Sequence, residues 1–405
     1  MSFFKNKQVY FFFILLAAIG IGLQIVIYKI AIFGLLLQWM VEKDYKKKLN
    51  ELKSNHYAVG LMIFYMLYAI SFFWSENKGV AIIDIILKTP ILFLPLIIVS
   101  KPNSLSLKQI NYIFASFIFS VLALNFYCLV DSFLTYLNTH NLNEFYYHKL
   151  TVNTHTSAQS MFTCFSIVLS VWLLKNRFIS NWLSYLVVFV QMIFVLMLSS
   201  RMQILIMATI IPSYFIFYYS KNLILGAFYT ALIFFLAYLF ISLPSSSLNH
   251  RYKKTISGTS DPREIIWSSG LDVVKQNWLF GVGSGDAKDL LVDQFSNVVL
   301  DESNLNQTVK SNKYKQAFIL KYNFHNQYLQ TFAAIGIFGL MLLCYLLFSP
   351  VLFFIRNKDY LCVLFLFIIS VSFLTESMLE RQAGVSFFAF FYSLLIRPVI
   401  QNTPS

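Results

Sequence analysis

Charge is what this sequence has least of. Only 12% of its 405 residues are Asp, Glu, Lys or Arg, against about 25% in soluble domains. With 58% hydrophobic residues and a mean hydropathy of +0.66, a soluble globular fold is excluded and lipid is the expected solvent. Cysteine is also scarce. Cys128, Cys164, Cys344 and Cys362 lie inside apolar runs without metal-ligand spacing, which excludes a zinc or disulfide scaffold and leaves free thiols packed as small hydrophobes. There is no internal repeat and no low-complexity tract, so a solenoid is excluded. No small-residue cleavage site closes the apolar run after Lys5 and Lys7, so a retained N-terminus is expected. A net charge of +13 would suggest nucleic acid in a soluble protein. Here membrane topology accounts for most of it, and no nucleic-acid partner is expected.

What the chain has in abundance is long apolar runs. Stretches near 11–22, 24–40, 57–74, 80–100, 110–136, 157–174, 182–199, 202–219, 222–243, 327–349, 359–375 and 383–400 are candidate membrane helices. The first two read as a hairpin turning near Gly20 and Gly22, because the segment 41–53 carries five lysines and belongs on the cytoplasmic side with Lys5 and Lys7. Lys101, Lys108, Lys175, Arg177, Lys221, Arg356, Lys358 and Arg397 then all fall inside. The expected fold is an all-α polytopic membrane protein of about twelve spans with both termini cytoplasmic. Spans one to nine occupy residues 1–243, a large external loop with short helices 244–324, and the last three spans 325–405.

That topology gathers the polar chemistry on the outer face. Of seven arginines, four (Arg201, Arg251, Arg263 and Arg381) fall outside, against the usual bias. A guanidinium at an outer membrane surface suits a bound anion, since its fork matches phosphate oxygens and it keeps its proton. Plainer readings stand beside this one. Arg201 could cap the carboxyl end of its helix or snorkel to lipid phosphates. Glu376, Glu380 and Arg381 could form a structural ion-pair turn. His148 and His155 fit ordinary loop histidines. Asp84 and Lys88, four apart on one helix, fit a local salt bridge. No His, Cys, Asp and Glu cluster has zinc spacing, and no metal or cofactor is expected.

Within the large loop, Asp261 reads as an N-cap, Pro262 as the first helical residue and Glu264 as the capping-box partner. Trp267, Leu271, Val274 and Trp278 follow on one face, with Arg263 one turn earlier. Such a helix is expected to lie along the membrane interface and hold Arg263 at headgroup level. The run GVGSG at 281–285 is expected to be a flexible turn ending that helix. His325 stands at the N-terminus of the tenth span, where the helix dipole favours the neutral ring, which can accept a proton. Asn326 can orient a ring or a sugar hydroxyl. Gly336 and Gly339 lie further along, where missing side chains admit a close neighbour.

The pattern His325-Asn326, nine residues, Gly336, two residues, Gly339 resembles the signature of the O-antigen ligase family of bacterial membrane glycosyltransferases. Ser199-Ser200-Arg201, Arg263 shortly before Trp267, and the FGVGSG run look like the family too. The resemblance implies a GT-C-like, inverting, metal-independent enzyme of the bacterial inner membrane, with its active site facing the periplasm. It implies a glycan donor on undecaprenyl pyrophosphate and a lipid A–core acceptor. It implies His325 as the base and Arg201 and Arg263 as pyrophosphate ligands; His155, Glu376 and Arg381 are further candidates. Related polysaccharide polymerases and protein O-oligosaccharyltransferases share the signature. A transporter of lipid-linked sugars would instead carry charge along a path at the bilayer midplane.

Overall fold

The computed structural model describes residues 7–101, 104–218, 231, 235, 262–301 and 323–397. The ninth apolar stretch, Arg251, Asp261 and much of the large loop lie outside these residues. The described chain is a helical membrane protein with fourteen α-helices and, among the described residues, no strand. In order these are α1 Lys7–Gly22, α2 Ile27–Val41, α3 Tyr45–Lys53, α4 His56–Ser71, α5 Lys78–Ile98, α6 Leu107–Thr139 and α7 Thr156–Lys175. There follow α8 Asn181–Met197, α9 Arg201–Tyr218, α10 Pro262–Gln276, α11 Ala287–Asp301, α12 Gln327–Arg356, α13 Tyr360–Phe373 and α14 Gln382–Leu395.

Eleven of the twelve apolar stretches fall on these helices. Four helices, α5, α6, α7 and α12, are long and apolar enough to cross a membrane, and seven more are apolar but shorter. The first pair is a hairpin: α1 and α2 pack side by side across the turn 23–26. The most enclosed helix is α14, nearly every residue of which is buried. It packs against α5 and sends Phe387 and Phe391 into an aromatic core with Phe117 of α6, Phe162 and Phe165 of α7 and Phe365 of α13. Phe162 and Phe387 stack with centroids 4.3 Å apart. Helices packed in lipid lose the contrast between apolar side chain and solvent, so such close ring contacts and buried polar bridges hold them together. Gln203 of α9 donates to Ser372 of α13 at 2.7 Å, and Gln191 of α8 to Ser166 of α7 at 2.7 Å.

Gly336 of α12 admits a close neighbour, as expected, but it does so by breaking the helix. Ile335 and Gly336 leave helical geometry, with Gly336 at φ +68 and ψ −166. A helix broken inside the membrane frees carbonyls that need donors. Here the carbonyls of Ala333 and Ala334 accept from the backbone N–H groups of Val282 and Gly283 at 2.8 and 3.0 Å, and Ile337 N–H donates to the Trp278 carbonyl at 2.9 Å. The partner is therefore the 278–283 loop, not a helix or a lipid. A Cβ on Gly336 would fall against the Leu279 carbonyl. Nor is the GVGSG run a flexible turn. Gly283 to Asp286 are buried; Ser284 and Gly285 donate to Ser71 and Ser75 at the end of α4, each at 3.2 Å. The Asp286 carboxylate accepts from Glu76 and Asn77 N–H, both at 2.8 Å, where α5 starts. Gly336→Ala is expected to lower stability by about 1–3 kcal/mol, from the left-handed backbone and the displaced loop. Thermal unfolding in detergent measures it, and an unchanged midpoint would show that the break does not depend on glycine.

Candidate functional site

The outer end of α12 is built by local caps. Asn326 is its N-cap: its side-chain oxygen accepts from Leu329 N–H at 3.0 Å, and its own N–H donates to Ser377 Oγ at 3.3 Å. The side-chain oxygen thus makes the helix-capping bond that asparagine makes well. The cap fixes His325 just outside the helix, with φ +45 and its N–H donating to Asn323 Oδ1 at 3.0 Å.

Helix α10 lies across this end. Gly270 permits the approach, since a Cβ there would meet the Phe324 ring at 2.8 Å and Leu329 at 2.9 Å. Trp267 donates its indole N–H to the Phe324 carbonyl at 3.0 Å. The buried stripe of α10 is Ile266, Ser269, Gly270, Val273 and Val274, whereas Leu271 and Trp278 are exposed. The expected tryptophan face is therefore rotated: α10 packs on α12 and α11, and Trp278 stands beyond the helix end. Pro262 is the first helical residue, as expected.

Glu376, in the turn after α13, joins the pieces. Its Oε1 accepts from Arg263 Nη2 at 3.0 Å and from Ser157 Oγ at 3.1 Å, and its Oε2 meets His325 Nδ1 at 3.2 Å. The carboxyl is almost fully buried. Burial alone would raise its pKa, but the His325 hydrogen bond, the attraction of His325 and His155 when protonated, and the charge of Arg263 outweigh it and hold it below the usual carboxylate value. An ionised carboxylate only accepts, so the shared proton is assigned to His325 Nδ1 and the ring's acceptor is Nε2.

Two other candidates lie in the same electrostatic field. His155, at the start of α7, is pushed down to about 4, first by burial and then by the Arg381 charge, with His325 and Arg263 adding to this and Glu376 opposing it. Its ring is neutral, and its buried Nδ1 has no hydrogen-bond partner among the described residues. Burial lowers the Arg381 pKa, and Glu376 works against that.

Arg201 is the first residue of α9. At the end of the preceding helix the Ser199 hydroxyl is bonded to the Leu196 and Met197 carbonyls at 3.2 and 3.1 Å. Arg201 lines, with Arg263, a cavity of about 360 Å³ whose wall also includes Tyr147, Ser157, Trp267 and Glu376.

A family model described as O-antigen ligase matches residues 186–344. Over that segment the chain is similar to the O-antigen ligase family. No curated protein matches the sequence. The matched O-antigen ligase segment runs from α8 into α12 and contains Arg201, Arg263, His325 and both signature glycines. Glu376, Ser157, His155 and Arg381 lie beyond it, contributed by the surrounding helices.

The presumed turn of Glu376, Glu380 and Arg381 is divided between two tasks. Glu376 serves the cavity. Glu380 reaches Lys88 of α5 at 3.0 Å and Lys288 of α11 at 2.7 Å, and Lys88 is also paired with Asp84. Burial works against the charged form of Glu380, but Lys88 and Lys288 hold its pKa down at about 2. Sequence reasoning missed Ser157, Tyr147 and Lys288. Only distance in the chain hid them, because nothing in their local sequence marks the contact.

Proposed function

We propose that the protein is an O-antigen ligase that transfers a glycan from undecaprenyl pyrophosphate to lipid A–core oligosaccharide, with inversion and without a metal. The observation that carries the reading is the Glu376 carboxylate, which bonds one oxygen to His325 and the other to Arg263. It joins a proton acceptor to the cation pair, Arg263 and Arg201, of a single cavity.

In this mechanism Glu376 holds the His325 ring with Nε2 toward the acceptor hydroxyl, as a buried carboxylate orients a catalytic imidazole. Nε2 takes the hydroxyl proton while the oxygen attacks the anomeric carbon. The bond from that carbon to the phosphate oxygen breaks, and undecaprenyl pyrophosphate leaves. Negative charge develops on the leaving pyrophosphate, where Arg201 and Arg263 supply fixed positive charge. The same reading takes the chain as a GT-C-like protein of the bacterial inner membrane with about twelve spans, both termini cytoplasmic, and a periplasmic loop 244–324 between membrane segments 1–243 and 325–405.

Deletion of the gene in its host, with surface polysaccharide resolved on a gel, tests the reaction. The ligase reading expects polymer to accumulate on its lipid carrier with unmodified lipid A–core. A core bearing single repeat units would indicate a polymerase, and unchanged polysaccharide with unglycosylated protein an oligosaccharyltransferase.

A further inference from the structure

We propose that Tyr147 forms a stacking seat for the sugar ring joined directly to the donor's pyrophosphate; this rests on the reading of the arginine cavity as the pyrophosphate site. The cavity wall is unlike that of a bare phosphate site. Beside Arg201 and Arg263 it carries two carboxylates, Glu264 and Glu376, and two aromatic rings, Tyr147 and Trp267. Carboxylates repel phosphate but accept from hydroxyls, and aromatic faces cover the apolar C–H face of a pyranose. A wall holding both cation and hydroxyl-accepting groups suits a phosphate with a sugar attached. The volume, about 360 Å³, is at the small end of the roughly 300–1,000 Å³ common for ligand pockets.

The chain holds Tyr147 there deliberately. Tyr147 opens the short turn Tyr147–Lys149 between α6 and α7 with φ +57, a left-handed conformation that a bulky residue rarely adopts and that clusters at working sites. The turn closes through Leu150 N–H to the Tyr147 carbonyl at 3.2 Å. Leu150 is fully buried in a pocket made by Leu124 and Cys128 of α6 and Phe194 of α8 with Leu198. The anchor therefore fixes the backbone from which the ring reaches the cavity. Trp267 is fixed by its bond to the Phe324 carbonyl and so is part of the α10 packing; Tyr147, on the turn between α6 and α7, is the aromatic to vary.

The test uses the full chain in detergent and two probes, farnesyl pyrophosphate and farnesyl pyrophosphate bearing one N-acetylglucosamine. The expected result is that Tyr147→Ala weakens the glycosylated probe roughly fivefold and leaves the bare one unchanged, while Tyr147→Phe binds both as wild type does. Equal weakening of both probes, or of neither, would overturn the proposal. In the transfer assay the donor KM should rise; a rise confined to the acceptor KM would overturn the assignment to the donor sugar. Arg263→Gln separates the two ideas: bare pyrophosphate binding that survives it strikes the pyrophosphate reading, whereas the Tyr147 comparison judges the sugar seat alone.

Discussion

Purified His325→Ala is expected to transfer glycan about 10²- to 10⁴-fold more slowly than wild type, with donor binding kept. The ring sits outside α12 and, among the described residues, is hydrogen-bonded to Glu376 alone, so its removal is expected to leave the unfolding midpoint close to that of wild type. What is lost is the acceptor for the hydroxyl proton at Nε2. Glu376→Gln separates positioning from basicity. An amide can still meet Nδ1, but as a neutral group it no longer favours the Nδ1–H form, and a loss of roughly 10- to 100-fold is expected, as for other outer partners of a working imidazole. Because Glu376 also bonds Arg263, this variant should raise the donor KM or lower it, whereas His325→Ala leaves that constant alone. Undiminished transfer by His325→Ala would remove the proposed base.

How much of this was legible in the sequence depends on the range of the cause. Helices and hairpin follow from neighbours in the chain; the N-cap at Asn326 has the same local cause, although the expectation from sequence for that residue is a hold on a ring or sugar hydroxyl. The positions of His325, Arg201 and Arg263 were legible through a motif and a charge bias. The partner of each was not. Glu376 follows His325 by 51 positions and precedes no recognisable pattern, and Ser157 reaches it across 219 positions. The glycines show the limit most clearly. Their spacing within an apolar run suggests a helix interface, but the broken carbonyls of Ala333 and Ala334 bond a loop some fifty residues earlier. GVGSG and Gly336 are two halves of one joint, and neither half states this alone. The rotation of α10 has the same origin: Gly270, which carries no apolar side chain to count in a helical pattern, is where Phe324 enters.

The second large effect is expected at Lys88→Met, which should lower stability by about 3–5 kcal/mol. Lys88 has no exposed surface. It lies ten residues into α5, about 15 Å along the helix from its start. Its ammonium is paired with Asp84 and with Glu380 and lies 4.4 Å from the centre of the Tyr68 ring. Methionine fills similar space but leaves two carboxylates facing each other away from water, with Lys288 still bonded to only one of them. At a few degrees per kcal/mol the midpoint should fall by about 10 °C in detergent. Lys88→Met with Asp84→Asn removes one stranded charge and should recover part of that loss, so the double-mutant cycle should show coupling. A midpoint within about 1 °C of wild type for the single variant would mean that the cluster contributes nothing. Charge at this depth was the mark expected of a transport path, yet each group here is closed on another. Glu380 stands four residues after Glu376, and the buried cluster holds the short turn between them. The same substitution should therefore loosen the carboxylate that orients His325, and transfer should decline at temperatures below the unfolding transition.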